Sequence, residues 1–515
     1  VFIDPRDVAQ DSTLSADVCI IGAGPAGLAL FFELERKGID VCLLESGDLD
    51  PDARAQSLCD GDSADGAYPF LESRVRAFGG TTHLWSGVCA SPDPLDFNGD
   101  RGSGLGGWPL SYEELRPYLA RAYEFFGVPE GPGSVHRDDI AVHTLRFPRA
   151  RLRLGPALHR DASDSRRGRV LLRTTATEVL CNESGSAAEG VSARTLDGRS
   201  LVVRANRTVL AGGGIECARL LLDSRSHCPN GLGNDHDLVG RGLMERRHVI
   251  AGELDVADER SDLLKTVTNR RPVPGGQEAA AVSLTSRLRT DEDLLACWAR
   301  FYRLHSSERS EAVAAHQRLW AALATRERPH RLKTALGEMA RDPLSLMSYY
   351  SWRVARRLAP SAASPGRTLV AATVEQEPDL SNRVGLSDRK DLFGRPLAYL
   401  ELSHSEAYRS SFERSVKLLS ERLEAAKLGR LIRSEDESHW PRKIRSKYGY
   451  HPMGTTRMGD DPTRSVVDRN CAVHGVANLS VASSSVFPVA GSANPTITIV
   501  ALALRLADHL ASRLR

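Results

Sequence analysis

An α/β fold with a second, α+β domain built on a sheet with helices is what the sequence predicts, from three observations. The first is a strand, glycine turn, helix and strand in Val18–Glu45; the second is another strand-to-glycine-to-helix unit in Thr208–Leu222. The third is a change of composition between about Glu245 and His404, where helical and strand-like stretches of different character interrupt the chain.

In the first unit, Val18-Cys19-Ile20-Ile21 is a short apolar run that reads as a buried parallel strand. It enters Gly22-Ala23-Gly24-Pro25-Ala26-Gly27, a G-x-G-x-x-G turn. Pro25 suits a first helical turn, Leu28, Leu30, Phe31 and Leu34 give the helix its apolar positions, and Gly38 stops it. A second apolar strand, Val41–Leu44, ends in Glu45. The spacing fits a Rossmann-like dinucleotide fingerprint: glycines admit a pyrophosphate to the backbone, the helix N-terminus offers free N–H groups, and the acid accepts from ribose hydroxyls. This unit alone does not separate FAD from NAD.

Composition bounds the rest. The 515 residues allow two or more domains, and 41% apolar content is ordinary for a globular chain. Sixty-eight basic and sixty-six acidic residues leave a net charge of +2, which gives no global field for nucleic acid. Nine scattered cysteines without C-x-x-C pairs point to free thiols in a reducing compartment and against structural zinc; no metal site is expected. The start carries no charged and apolar leader, and Ile497–Leu504 is too short an apolar run to span a bilayer before Arg505. A cytoplasmic protein without a transmembrane segment is the expectation, and because the first residue is Val an initiator Met or a few residues are expected to precede it.

Along the chain, Ser46–Gly66 is polar and reads as a surface loop or lid within a region of about 46–110. Arg76–Gly87, with Gly79-Gly80, Thr81-Thr82, His83 and Trp85, suits backbone passing over a flat ring, or equally a glycine loop with a core Trp. Ser111-Tyr112-Glu113-Glu114 is a capping box for a helix with a core stripe of Leu115, Tyr118, Leu119, Ala122, Tyr123 and Phe126. Short strands from Arg169 to Leu210 read as a meander feeding Thr208–Gly214, whose glycines read equally as a second turn of the same sheet or as a structural turn. In the second domain, Thr368–Glu375, Arg383–Leu386 and Ala398–Leu402 read as strands around a helical insertion of about 300–360. Within it, Asp342-Pro343 opens a basic amphipathic helix that ends before Pro360.

Near the end, Tyr450–Gly459 holds His451 in a loop that Pro452 and two glycines keep irregular, and Phe487–Thr496 points an apolar helix. A lone His admits a structural reading, and Asn494-Pro495 admits a cap with Pro at N1.

Taken in joint order, Gly22–Gly27 with Glu45, Gly79-Gly80-Thr81-Thr82, Ala211-Gly212-Gly213, Asn382-Arg383-Val384, His451–Thr455 and Asn494-Pro495-Thr496 make the chain resemble the glucose-methanol-choline (GMC) flavoprotein oxidoreductases over most of its length. The resemblance implies an FAD-binding domain in 1–244 and 406–515 with a substrate domain in 245–405. His451 and Asn494 match its active-site pair. The implied FAD contacts are Gly22, Gly24, Pro25, Ala26, Gly27, Glu45, Arg76, Gly79, Gly80, Thr81, His83, Leu84, Trp85, Ser86, Val179, Ala211, Gly212, Gly213, Ser484, Asn494, Pro495 and Thr496. Some relatives attach FAD through Thr-His-Trp; here Leu84 stands between His83 and Trp85, so FAD is expected to be non-covalent.

The implied activity is oxidation of a sugar or aminoglycoside-like alcohol, at a primary 6′-hydroxyl in the bacterial type, with oxygen or another carrier as electron acceptor. A polycationic substrate would need an acidic wall, for which Glu375, Glu377 and Asp379 are candidates beside the plainer reading of an exposed acidic turn. A flavin-containing lyase of the same fold and oxidation of a non-sugar alcohol are the alternatives.

Overall fold

Ser12–Ile21 is the strand on which the first sheet is built. It pairs in parallel with Val41–Leu44 on one side and with Ser200–Leu210 on the other, so that Cys19 lies between Cys42 and Thr208. The parallel layer continues outward through Gly168–Leu171 to Phe2–Ile3, and Leu479–Val481 pairs with the end of Ser200–Leu210. Ala188–Thr195 and Thr174–Cys181 complete it as an antiparallel edge. The computed structural model describes residues 1–99, 104–137, 139–305, 307, 310–324, 332–358, 367–433 and 448–514.

Sequence and structure agree on the first unit. Helix Pro25–Arg36 has Pro25 at its first position and buries Leu28, Leu30, Phe31 and Leu34. The capping box is formed: Ser111 Oγ accepts from the Glu114 N–H at 3.2 Å, and Glu114 Oε2 accepts from the Ser111 N–H at 2.9 Å. Helix Tyr112–Phe126 then buries Leu115, Leu119, Ala122, Tyr123 and Phe126 against the C-terminal helix Thr496–Leu514.

Three readings are corrected. The run Val170–Leu172 is no part of a meander: Gly168–Leu171 is a parallel strand beside Val41–Leu44, and Leu201–Val203 runs unbroken into Thr208–Leu210 as one strand. The stretch 46–66 is not all loop. Asp52 caps a short helix, Ala53–Ser57, and Gly61–Ser63 pairs with Pro396–Glu401, which also pairs with Arg383–Lys390. Finally Arg300–Leu304, placed in a helical insertion, belongs to strand Cys297–Leu304; its β-branched neighbours across the sheet outweigh local propensity.

The second sheet is antiparallel, in the order Gly429–Ile432, Arg247–Val256, Arg367–Val374, Cys297–Leu304, Gly276–Leu284, Ile140–Pro148, Ser134–Arg137. It therefore takes strands from before residue 245 and after 405, while Arg383–Glu401 sides with the first domain's Gly61–Ser63. Helix Glu406–Ala425 packs its Tyr408, Val416, Leu419 and Leu423 on one face. The opposite face turns toward the cavity described below. Helices Glu311–Ala324, Leu332–Arg341 and Pro343–Leu358 adjoin this layer, and Pro360 lies outside the described residues.

One glycine tests the central packing. A Cβ on Gly27 would sit 1.9 Å from the Gly22 carbonyl oxygen, backbone that holds the turn. Gly27→Ala is expected to destabilise the apoprotein by about 1–3 kcal/mol through overpacking, read as a lowered thermal midpoint; an unchanged midpoint would show that the helix can back away from the strand.

Candidate active site

A cavity of about 1010 Å³ runs from the first glycine turn to the second sheet. At one end, the first sheet's parallel strands present their carboxyl ends: Ile21-Gly22, Leu44-Glu45 and Leu210-Ala211-Gly212 all line it. Gly22 takes φ +105°, and a Cβ there would meet the Ala211 carbonyl oxygen at 2.8 Å. Gly24 is different. A Cβ on it would meet nothing within 4 Å, which leaves the helix N-terminus open to the cavity. That opening, beside the free N–H groups of the first helical turn, is the cradle a pyrophosphate requires.

Glu45 is buried and accepts from the Ala23 N–H and the Gly47 N–H, each at 2.9 Å. Burial pushes its carboxyl up against the pull of those bonds. Beyond it lies a charged cluster. Glu216 takes Arg74, Arg76 and Arg219 at 2.8, 2.8 and 3.2 Å. Burial alone would raise the Glu216 carboxyl, but those three charges hold it well below the carboxylate range. Arg74 Nε and Nη1 and Arg76 Nε are buried without a partner, and Thr175 Oγ is likewise unbonded; these are polar atoms that a nucleotide would satisfy. FAD thus fits the residues present.

At the other end, His451 and Asn494 face one another. Asn494 Nδ2 lies 3.5 Å from His451 Nε2, at the limit of a hydrogen bond. The His loop is held by Glu245, a buried carboxylate that accepts from the His451 N–H at 2.9 and 3.1 Å and from the Tyr68 hydroxyl at 3.4 Å. Burial raises Glu245 to about 7, against the pull of the His451 N–H and of Arg246. Arg246 is fully buried; Nη1 donates to the Ala493 carbonyl at 2.5 Å, and Nη2 lies 3.3 Å from His451 Nδ1. One guanidinium therefore spans both active-site loops. Burial, then the charges of Arg246 and His248, push His451 well below its ordinary 6.5, so the ring is neutral at neutral pH.

Of the residues expected to touch FAD, Gly22, Gly24, Pro25, Ala26, Glu45, Arg76, Gly80, Thr81, Leu84, Trp85, Ser86, Ala211, Gly212, Gly213, Ser484, Asn494, Pro495 and Thr496 line the cavity. Four do not. Gly27 packs on Gly22, and Gly79 packs on Gly155. His83, the last residue of the 3-10 turn Gly80–His83, has its ring nitrogen 3.0 Å from the Phe78 carbonyl oxygen. Val179 gives its N–H to Ser224 Oγ at 3.0 Å, and Thr174–Ala176 on the same strand line the cavity instead.

The acidic wall is also corrected. Glu375 spends its oxygens on the Ala296 and Gly491 N–H groups, Glu377 accepts from Ser405 Oγ, and Asp379 caps Ser381; none lines the cavity. Sequence reasoning missed His248, Arg300, Tyr302, Gln317 and Tyr349, which do. The alternation of Arg300, Tyr302 and Leu304 is a strand signal that was available. Nothing in the sequence brings Gln317 and Tyr349 to the site.

A dinucleotide cradle opening onto a half-buried neutral His and an Asn fits a flavin-dependent oxidoreductase. The comparisons agree. Residues 378–503 match the family model "GMC oxidoreductase", and residues 15–58 match "FAD binding domain". The 6'''-hydroxyparomomycin C oxidase of Streptomyces lividus and the paromamine 6'-oxidase of Streptomyces fradiae are each 27% identical, over 97% of this chain and 92% of theirs. The solved structure of formate oxidase superposes with a TM-score of 0.56 at 16% identity, covering 98% of this chain and 99% of that one. The chain thus resembles the GMC oxidoreductases and carries their C-terminal domain match, and it is an FAD-dependent enzyme acting on alcohols. Among the described residues, no helix is long and apolar enough to cross a membrane.

The open side of Gly24 yields a test. Gly24→Ala is expected to leave the thermal midpoint of the apoprotein near that of the native chain while lowering flavin absorbance per mole of purified protein; full flavin occupancy would place the pyrophosphate elsewhere.

Proposed function

We propose that the enzyme oxidises a primary alcohol of a sugar or aminoglycoside-like substrate to the aldehyde, with His451 as the base and Asn494 as its partner. The observation that carries this is the pair itself: a neutral imidazole and an amide 3.5 Å apart at the mouth between the nucleotide cradle and the second sheet. The names of the two Streptomyces relatives supply the substrate class. Bound FAD supplies the hydride acceptor. FAD is held without a covalent bond in this reading, since His83 faces the Phe78 carbonyl.

The chain's own residues handle the proton. His451 Nε2 accepts the hydroxyl proton, and Asn494 Nδ2 donates to the same oxygen and fixes its direction. Arg246 sets a condition on this step. A guanidinium only donates, so its approach to Nδ1 favours the tautomer with the proton on Nε2. The base needs the proton on Nδ1, and reaching it means giving up that 3.3 Å contact while Arg246 keeps its stronger bond to the Ala493 carbonyl. The same cation opposes the imidazolium, which speeds return of the proton to solvent after turnover. The nine free thiols favour a reducing, cytoplasmic setting. The acceptor that reoxidises the flavin is oxygen or another carrier.

Single-turnover reduction tests the base. His451→Ala is expected to retain flavin and to lose reduction rate by about 10²- to 10⁴-fold; loss of the flavin instead would make His451 structural. The pH profile follows from the shifts. Neutral imidazole is the active form and its pKa lies below 6.5, so the His451 limb is expected on the acid side of 6.5, with the rate falling as pH falls. A second inflection near 7 is expected from Glu245, absent in Glu245→Gln. A single limb at or above 6.5, shared by both proteins, would contradict the assignment.

A further inference from the structure

The wall opposite the nucleotide cradle carries cations without acids. On strand Cys297–Leu304, Arg300, Tyr302 and Leu304 alternate toward the cavity, in register with Ala371 across the sheet, and His248 lines it from the next strand. Arg270 reaches the same space from the turn before Arg271–Val273. The Arg270 guanidinium lies 3.8 Å over the Phe147 ring, and that of Arg300 lies 5.4 Å from the Tyr302 ring. Among the described residues, neither has an ion pair or a hydrogen bond.

The cavity's other arginines are paired. Arg74 and Arg76 share Glu216, Arg219 takes Glu216 and Asp391, and Arg395 takes Asp223. The acids that line the cavity are Glu45, Glu72, Glu216 and Asp391, all on elements of the cradle end. The acid nearest His451, Glu245, is spent on that residue's N–H. Partial burial and the charge of Arg300 together push Arg270 below its ordinary value, the mark of two like charges without an anion between them. Planar guanidinium groups suit phosphate and carboxylate, and Tyr302, Tyr349 and Gln317 beside them suit a hydroxylated ring.

We propose that the substrate is a sugar or amino-sugar alcohol carrying a phosphate or a carboxylate, with the anion held by Arg300 and Arg270 while the hydroxyl lies between His451 and Asn494. The inference rests on the alcohol-oxidation reading and narrows it to one charge class. A substrate whose charge is purely cationic meets the wrong field at this wall. The affinity for the anion falls as salt rises, because the Arg270 site is open to solvent.

The test is anaerobic reduction of the holoenzyme's flavin by four compounds that keep a primary 6-hydroxyl: methyl α-glucoside, glucosamine, glucose 1-phosphate and gluconate. The expected result is that at least one anion binds about ten- to a hundredfold more tightly than the neutral glycoside, and that Arg300→Gln and Arg270→Gln each erase most of that ratio. Glucose 1-phosphate alone showing the preference assigns phosphate, and gluconate alone assigns carboxylate. Arg287→Gln, at an exposed arginine that is not part of the cavity lining, keeps the ratio.

Equal or better binding of the neutral or cationic sugar, or the same loss for all four compounds in the Arg variants, overturns the inference and leaves alcohol oxidation intact. Should no alcohol bleach the flavin, the spectral perturbation caused by the two anions is read instead. A perturbation lost in Arg300→Gln upholds the anion site while the oxidation reading fails, and no perturbation overturns both.

Discussion

The structure depends on one strand having neighbours of different origin. Ser12–Ile21 pairs with Val41–Leu44 on one side and Ser200–Leu210 on the other, so the chain leaves the sheet in opposite directions at its carboxyl edge. In an open α/β sheet, that reversal is where a crevice forms. Three chain turns crowd into it, Gly22–Gly27, Gly79-Gly80 and Ala211–Gly214, and they approach so closely that a Cβ at Gly22, Gly27, Gly79 or Gly80 would strike backbone. Gly24 and Gly213 are the exceptions, and both leave backbone open to the cavity.

The second sheet and the C-terminal loops then have to be registered against that crevice. A buried pair of adjacent charges does it. Glu245 holds the His451 backbone, and Arg246 grips the Ala493 carbonyl while touching the imidazole, so the two loops that bear His451 and Asn494 share one anchor at the start of strand Arg247–Val256. Removing one member would strand the other's charge in the interior, which is costly. The same strand carries His248 into the cavity and thereby sets the polarity of its far wall. Position, proton affinity and substrate charge are thus linked through consecutive residues.

Much of this was legible in the sequence where local rules govern. The Val18–Glu45 unit, the Ser111 capping box and the joint order of the motifs through Asn494 each follow from spacing that a short stretch enforces. What was hidden came from long-range pairing. Glu375 looked like part of a substrate wall, yet it bonds the Ala296 and Gly491 N–H groups far from it in sequence. Val179 and His83 sat in the right stretches, but their polar atoms meet Ser224 Oγ and the Phe78 carbonyl, partners distant or local that spacing alone does not reveal. Strand Cys297–Leu304 was hidden because it is followed closely by helices, and its cavity face matters only once the neighbouring strands fix which side is in.

The central claim is that the enzyme breaks a carbinol C–H bond in a step that His451 and Asn494 align. The most direct measurement is the rate of flavin bleaching by the fastest-reacting alcohol, compared with the same alcohol deuterated at the carbinol carbon, under anaerobic single-turnover conditions. A several-fold slowing with deuterium is predicted. Equal rates at saturating alcohol, or an alcohol consumed while the flavin stays oxidised throughout, would contradict it.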